Sequence, residues 1–191
     1  MINVPINPQN TTPAFGDKVI VQIQDFLVSQ LDWLNHSFGR AQKLVTKKNK
    51  TTYTYPGVHI QKEQYVNVFP DRKLGNYSFF VIEDPQEVSF NRNQFNQVKL
   101  RYGLIFWLNL NDIFANTAER NIEVLKSHII KLLTRDLRIV DCRIFIDKIY
   151  EESINIYKGY DIKEIDSQFL MHPYAGFRFE GVLSFYESCI T

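Results

Sequence analysis

Residues 98–110 read VKLRYGLIFWLNL, and this stretch decides the fold. Apolar and polar residues alternate in part, and the centre of the stretch, residues 104–108, is wholly apolar. This pattern is typical of a strand that is covered on one face and partly on the other. The sequence therefore predicts a central strand here, around which the neighbouring elements can be placed.

A helix and a second strand follow the central strand with almost nothing between them. Asn116 and Glu119 have the spacing of a capping box, and apolar residues recur behind them at helical period: Ile122, Leu125, Ile129, Leu132 and Leu133. These features predict a helix over residues 117–134. Residues 137–149 return to alternation, and such a strand usually packs back beside its predecessor. Strand, helix and strand would then share one core.

The first part of the chain predicts a second main helix. Asp17 can cap it, its apolar residues recur at three- and four-residue spacing, and Gly39 is placed to end it. The basic residues 40–50 are interpreted as a connection to the strands that follow. Shorter strands are predicted at residues 51–55, 58–69 and 77–82.

The remaining segments are weakly patterned. Residues 1–16 hold three prolines and no periodicity, and residues 85–97 are rich in Asn and Gln, so both are interpreted as irregular. Residues 153–168 leave a short helix and an exposed arm both open, whereas residues 177–186 predict a closing strand.

Together these elements predict an α+β fold with an antiparallel or mixed sheet, two main helices packed on one face, and extended arms and loops. The predicted organisation is an N-terminal arm at residues 1–16 and one domain at residues 17–191, with loop insertions near 84–97 and 154–174. A length of 191 residues suits one domain with its own core.

Composition excludes some classes of partner. The net charge is +1, so no global field would drive binding to nucleic acid or to an anionic membrane. The chain has neither a leader pattern nor an apolar run of about 18 residues, so we expect a soluble protein made in the cytoplasm. Cys142 and Cys189 form no disulfide framework, and both are expected to be reduced.

The sequence offers little for catalysis. The four histidines, His36, His59, His128 and His172, lack the spacing of a metal site, and no nucleophile elbow or phosphate loop is present. The adjacent carboxylates Glu83-Asp84 and Glu151-Glu152 would point to opposite faces of a strand, which favours solvated strand ends over paired chemistry. We therefore expect no enzymatic activity, no metal and no cofactor.

One basic run stands beside aromatic residues. It comprises Lys43, Lys47, Lys48 and Lys50, followed by Tyr53 and Tyr55. Such a run could meet a phosphate backbone. The alternative is a solvated surface loop, and the near-neutral net charge favours that alternative.

The order of elements resembles the tail-terminator-like and neck-ring proteins of tailed bacteriophages. The residues that carry the resemblance are YTYPGV (53–58), YVNVFP (65–70), the strand at 102–110 with the helix at 116–133, and HPYAGFRFE (172–180). The sequence is also similar to neck proteins of the crAss-like phages. The resemblance covers about residues 17–190, and none of its motifs is catalytic.

The resemblance implies a structural role in the virion. The chain would form a homo-oligomeric ring in the neck or tail connector, contacting portal, neck or tail proteins and no membrane. The lysine run could then make non-specific contact with packaged DNA. Aromatic residues in the weakly patterned segments could form the subunit interface or could cover the subunit's own core: Phe90, Phe95, Tyr157, Tyr160, Phe169 and Tyr174.

Two other functions remain open at this level. The aromatic excess, 14% of residues, also suits a cytoplasmic module that binds a ligand or peptide on its sheet. An enzyme is third, because fold does not dictate function, and converging carboxylates around Glu83, Asp84, Glu151 and Glu152 would be needed to support it.

Overall fold

A seven-stranded mixed sheet organises the protein. The computed structural model describes residues 13–48, 50–60, 64–90, 95–116, 121–139 and 142–188. The strands are β1 (His36–Lys48), β2 (Thr51–Ile60), β3 (Gln64–Asn67), β4 (Tyr77–Phe90), β5 (Phe95–Asn109), β6 (Cys142–Tyr150) and β7 (Tyr174–Ser188). The helices are α1 (Gly16–Gln30), α2 (Leu110–Ile113), α3 (Ile122–Lys131) and α4 (Ser153–Ile156).

The strand order is β3-β2-β1-β4-β5-β7-β6. Only β1 and β4 run parallel, and every other neighbouring pair is antiparallel. This mixed sheet with helices packed on it confirms the predicted α+β class. Among the described residues, no helix is long and apolar enough to span a membrane.

The first face of the sheet packs against both main helices. Successive side chains of a strand alternate between its faces, so the even-numbered residues of β5 all point to this side. They pack with the apolar stripes of α1 and α3, and the buried set includes Ile20, Ile23, Leu27, Leu104, Phe106, Leu125 and Ile129. The prediction of two main helices on one face is confirmed.

The second face is covered over part of its length by residues 151–173, which join β6 to β7. This segment holds α4 and two short 3₁₀ turns, Ile162–Glu164 and Ser167–Leu170. Its buried residues Ile156, Tyr157, Ile165 and Phe169 pack with Phe79, Ile105 and Trp107 of the sheet. The prediction left a short helix and an exposed arm open, and the segment is a packed cover with a short helix at its start.

The neighbour of β5 differs from the prediction. The expected partner was β6, but β7 lies between them and pairs with β5 from Phe95 to Asn109. Since β7 has buried residues on both faces, an interior place suits it. Strand β6 alternates half-buried and exposed residues from Cys142 to Asp147, which suits the edge of the sheet.

The predicted helix ends also need correction. Asn121, and not Asn116, caps α3, because its side chain accepts a hydrogen bond from the Glu123 amide. Glu119 and the predicted first turn at residues 117–120 lie outside the described residues. After α3 a π-helical turn follows, Leu132–Asp136. At the other helix, Phe15 occupies the cap position with φ +52° and no side-chain cap bond, so Asp17 lies in the first turn.

Two predicted loops are β-hairpins. Gly39 and residues 40–48 belong to β1, which pairs with β2 from Ala41↔Val58 to Lys48↔Thr51. Residues 84–90 and 95–97 belong to β4 and β5, and the connection at 91–94 lies outside the described residues. Large parts of these hairpins are exposed, so they lack the apolar alternation by which strands are recognised.

Candidate functional site

An open groove occupies the part of the second face that residues 151–173 leave uncovered. Its volume is about 770 Å³. The groove is formed by β4, β5, β7 and β6, and its lining includes Gln97, Lys99, Arg101, Arg143, Phe145, Val182, Ser184 and Tyr186. A volume of this size is in the range of small-ligand sites, roughly 300–1,000 Å³.

The register of β5, β7 and β6 arranges six lining residues in two rows that run across the strands. Lys99 pairs with Ser184, which pairs in turn with Arg143. In the next row Arg101 pairs with Val182, which pairs with Phe145. Three cations from two non-adjacent strands therefore surround one serine of β7.

The three cations are exposed, and none of them has a carboxylate of the described residues within ion-pair distance. The ion pairs of the described residues, up to 4.0 Å, include neither Lys99, Arg101 nor Arg143. Two carboxylates also line the groove: Glu87 pairs with Lys99 across the strands, and Asp147 lies near the bulge of β6. The groove therefore contains three cations and two anions, so its lining suits a polar or charged ligand.

Ser184 has a defined hydrogen-bond partner. Gln97 Nε2 donates to Ser184 Oγ at 3.2 Å. In the hydrogen bonds of the described residues, the Ser184 hydroxyl donates to no protein acceptor. Its own proton is thus available to a group in the groove.

A buried ionic cluster lies on the same face of the sheet, beyond the row of Arg101 and Val182. Arg178 is 1% exposed, and its Nη2 lies 2.5 Å from Glu83 Oε1 and 2.9 Å from Glu180 Oε1. Lys158 adds a more distant contact to both carboxylates. A Cβ on Gly103 would collide with the guanidinium, so glycine at this position makes room for Arg178. The two cations and two carboxylates balance in charge, although Arg178 Nε and Glu180 Oε1 have no hydrogen-bond partner among the described residues.

Tyr160 lies beside this cluster. Burial raises the pKa of its phenol to about 12, although the nearby Arg178 charge acts in the opposite direction. The phenol is therefore neutral at physiological pH. Tyr160 can pack and donate a hydrogen bond but cannot act as a base.

The predicted lysine run is not a loop. Lys43, Lys47 and Lys48 belong to β1, and all four lysines are exposed. Lys43 and Lys47 share one face of the strand, whereas Lys48 points to the other. Lys48 Nζ lies 2.5 Å from Glu164 Oε2, and this hydrogen bond and charge raise the pKa of Lys48. The four lysines thus do not form one basic surface.

The predicted interface aromatics mostly belong to the subunit's own core. Tyr157 is fully buried and Phe169 is 9% exposed, while Tyr160 and Tyr174 pack partly buried against the same cluster. Tyr157 is therefore unavailable to another subunit, which corrects that assignment. The side chains of Phe90 and Phe95 lie outside what the structure describes. Aromatic residues serve cores and interfaces alike, so only tertiary packing separates the two roles.

The predicted carboxylate pairs do not converge. Glu83 belongs to the Arg178 cluster, while Glu151 joins Glu123 in contacting the ammonium of Lys126. Asp84 and Glu152 are exposed. Within the described residues, no three His, Cys, Asp or Glu side chains are grouped as metal ligands.

Cys142 is also poorly suited to nucleophilic chemistry. Burial raises the pKa of its thiol to about 11, so the thiolate is scarce at neutral pH. Among the described residues it is a free thiol. Cys189 lies outside the described residues.

The groove residues Lys99, Arg143, Ser184 and Tyr186 were not predicted from the sequence. Their only sequence signal is the two-residue spacing of polar positions at Gln97, Lys99 and Arg101. That spacing indicates a polar strand face, but it does not reveal which strands lie beside β5. No protein-family model and no curated protein matches the chain.

Proposed function

We propose that this chain is a bacteriophage virion structural protein, a subunit of a homo-oligomeric ring in the neck or tail connector between portal and tail. The observation that carries the proposal is the character of the two terminal strands of the sheet, β3 and β6. Each bears exposed large apolar side chains. The resemblance in sequence supplies the virion context.

The exposed residues lie where another subunit could pair. Tyr65 on β3 is 44% exposed, and Ile149 on β6 is 42% exposed. Edge strands of soluble proteins are usually protected by charges, bulges or a covering segment. Strand β6 has such a bulge between Ile146 and Lys148, but both edges keep large apolar side chains in solvent, which suits them to pairing with another chain.

The two edges are unlike, and this supports a ring. Strand β3 has four residues and β6 has nine, so one edge cannot mimic the other. A contact between two different surfaces is head-to-tail, and it closes into a ring when the rotation per subunit fits. The β1–β2 hairpin, with Val45 61% exposed between Lys43 and Lys47, is a further surface for portal, neck or tail proteins or for DNA in the lumen.

The oligomeric state tests the proposal. We would measure the mass of the full chain over a concentration series, alone and with candidate portal or neck proteins. A closed oligomer of fixed stoichiometry is expected, and Tyr65→Lys or Ile149→Lys should dissociate it because each places a charge in the contact. The matched control is Val124→Lys, since Val124 is 58% exposed on α3 and lies on no edge strand.

The ring assignment would be contradicted if the chain stayed monomeric at high concentration and did not bind portal or tail proteins. Dissociation by Val124→Lys as readily as by the edge variants would remove the assignment to β3 and β6. The second candidate function is a binding module, which the open groove favours. It predicts a monomer whose ligand occupies that groove.

A further inference from the structure

Three groove residues on three adjacent strands, Lys99, Ser184 and Arg143, are suited to bind an anion. Lys99 and Arg143 lie level with each other on either side of Ser184, so their Cα atoms are about 10 Å apart, two strand spacings. Both side chains are long enough to reach an anion above Ser184. The Ser184 hydroxyl accepts from Gln97 and keeps its own proton for that anion. Arg101 adds a third cation from the next row.

An exposed aromatic ring lies on each side of this anion site. Tyr186 follows Ser184 by two residues on β7, and Phe145 pairs with Val182, two residues before it. Each aromatic residue is therefore displaced by about 7 Å along the strand from the level of Ser184. Both side chains are 49% exposed. A solvated ring on an open sheet face can stack a nucleobase.

We propose that this groove binds single-stranded nucleic acid, with one phosphodiester between Lys99, Arg143 and Ser184 and a base stacked on Phe145 and on Tyr186. A phosphodiester carries a nucleoside on each side of its phosphate, which matches an anion site flanked by two aromatic rings. This binding activity is additional to ring assembly and does not depend on it.

The same residues discriminate against other anionic ligands. An acidic peptide would use the cations and leave both aromatic rings without a partner. A duplex keeps its bases paired and stacked, so it offers no free base face to either ring. Glu87 and Asp147 also line the groove, so its three cations and two carboxylates leave a formal net charge of +1 there.

The test measures binding of a fluorescein-labelled oligothymidylate of about 12 nucleotides to the full-length protein by anisotropy at two salt concentrations. Lys99→Gln with Arg143→Gln should weaken binding at least about tenfold and flatten the salt dependence. Tyr186→Ala should weaken it about fivefold or more while leaving the salt dependence unchanged. The matched control is Lys131→Gln with Arg135→Gln, which removes the same charge from exposed residues at the end of α3 and in the π-helical turn that follows it, and should change affinity less than about twofold.

Competitors identify the ligand class. Unlabelled oligothymidylate should displace the probe, whereas thymidine monophosphate, a duplex of equal length and a glutamate peptide of equal charge should not at the same concentration. Equal competition by the duplex or the peptide would overturn the proposal, as would an equal effect of the control double variant. Thermal unfolding of each variant shows whether it is folded. Ser184→Ala removes only the hydroxyl that contacts the phosphodiester, so it should weaken binding with little change in side-chain volume. No binding by the wild-type chain at low salt would also refute the proposal, whatever its oligomeric state.

Discussion

Arg178 Nη2 lies 2.5 Å from Glu83 Oε1, although the two residues are 95 positions apart in the chain and their strands are not neighbours. Strand β5 runs between β4 and β7, and the contact crosses it above Gly103. Glu180 is the next residue of β7 on this face, and its Oε1 lies 2.9 Å from the same Arg178 Nη2. One guanidinium thus ties β7 to β4 across the strand that lies between them.

Replacing Arg178 by Met should lower the free energy of unfolding by about 3–5 kcal/mol, because two partly buried carboxylates would lose their main counter-charge. Urea unfolding followed by circular dichroism measures the change. Lys158→Met is the matched control, since Lys158 is 61% exposed and its removal should cost less than about 1 kcal/mol. Equal losses in the two variants would mean that the cluster is not held by Arg178.

Tyr157 anchors the segment that covers the second face. It is fully buried, its hydroxyl lies 3.3 Å from that of Tyr77, and its ring packs edge-on against Phe69. Tyr157→Ala should cost about 3–5 kcal/mol of stability. Tyr186→Ala, at an exposed aromatic, should change stability by about 0.5 kcal/mol or less. If both variants unfold at the same denaturant concentration, the segment does not pack as described.

Asp161 fastens the same segment to β2 in a pH-dependent way. Its Oδ2 accepts hydrogen bonds from the amide of Thr54 at 2.6 Å and from the Thr54 hydroxyl at 2.8 Å. These hydrogen bonds lower the pKa of Asp161 below its ordinary value of 3.8. A lowered pKa in the folded state means that the stabilisation is present above the ordinary pKa and is lost as the pH falls through the folded value.

The wild-type chain should therefore have a higher Tm than Asp161→Ala above about pH 5, and the difference should shrink below pH 3.8. Thermal unfolding at a series of pH values measures this. Asp161→Asn, which keeps an acceptor oxygen, is expected to lie between the two. A difference in Tm that stays constant down to the lowest pH would show that the charged form is not what Thr54 stabilises.

Phe15 places the start of the folded domain before residue 17. Its ring centroid lies 5.6 Å from that of Phe185, and the side chain packs partly buried against the first core. Removing residues 1–16 should therefore lower the Tm more than removing residues 1–12 does. Thermal unfolding of the two truncated chains tests this. Phe15→Ala in the chain that lacks residues 1–12 should lower its Tm toward that of the chain that lacks residues 1–16. Equal Tm values for the two truncated chains would support the predicted boundary between an arm at residues 1–16 and a domain that begins at residue 17.

The face of α3 provides a direct test of the first core. Ile129 is fully buried, whereas Val124 on the same helix is 58% exposed. Ile129→Ala should cost about 2–5 kcal/mol, and Val124→Ala should stay within about 0.5 kcal/mol. Chemical unfolding of the two variants measures both values, and a small effect at Ile129 would contradict the assigned face.

Helices and strands whose apolar residues recur at a regular spacing were predictable from the sequence, and those without such a spacing were not. The apolar stripe containing Leu125 and Ile129 identified α3, because helical period survives in the sequence wherever one face is buried. The hairpin strands around Lys43 and Glu87 lack this signal because much of each strand is exposed, so no apolar alternation distinguishes them from loops. Their hydrogen bonds come from partner strands, which the local pattern does not report.

The groove was hidden for a related reason. Lys99, Ser184 and Arg143 come from three strands, and they meet only because β7 lies between β5 and β6. From the order of elements β6 was expected beside β5, and in that arrangement Ser184 would not stand between the two cations. The position of β7 is decided by burial on both its faces.

The sequence by itself determined the α+β class, the two main helices and the face on which they pack, because these follow from the local periodicity of apolar residues. Only the tertiary structure decided the strand order, the placing of Tyr157 in the core, the ionic cluster of Arg178 and the groove around Ser184. Each of these depends on contacts between residues far apart in the chain, and their formation is governed by competition for burial across the whole sheet.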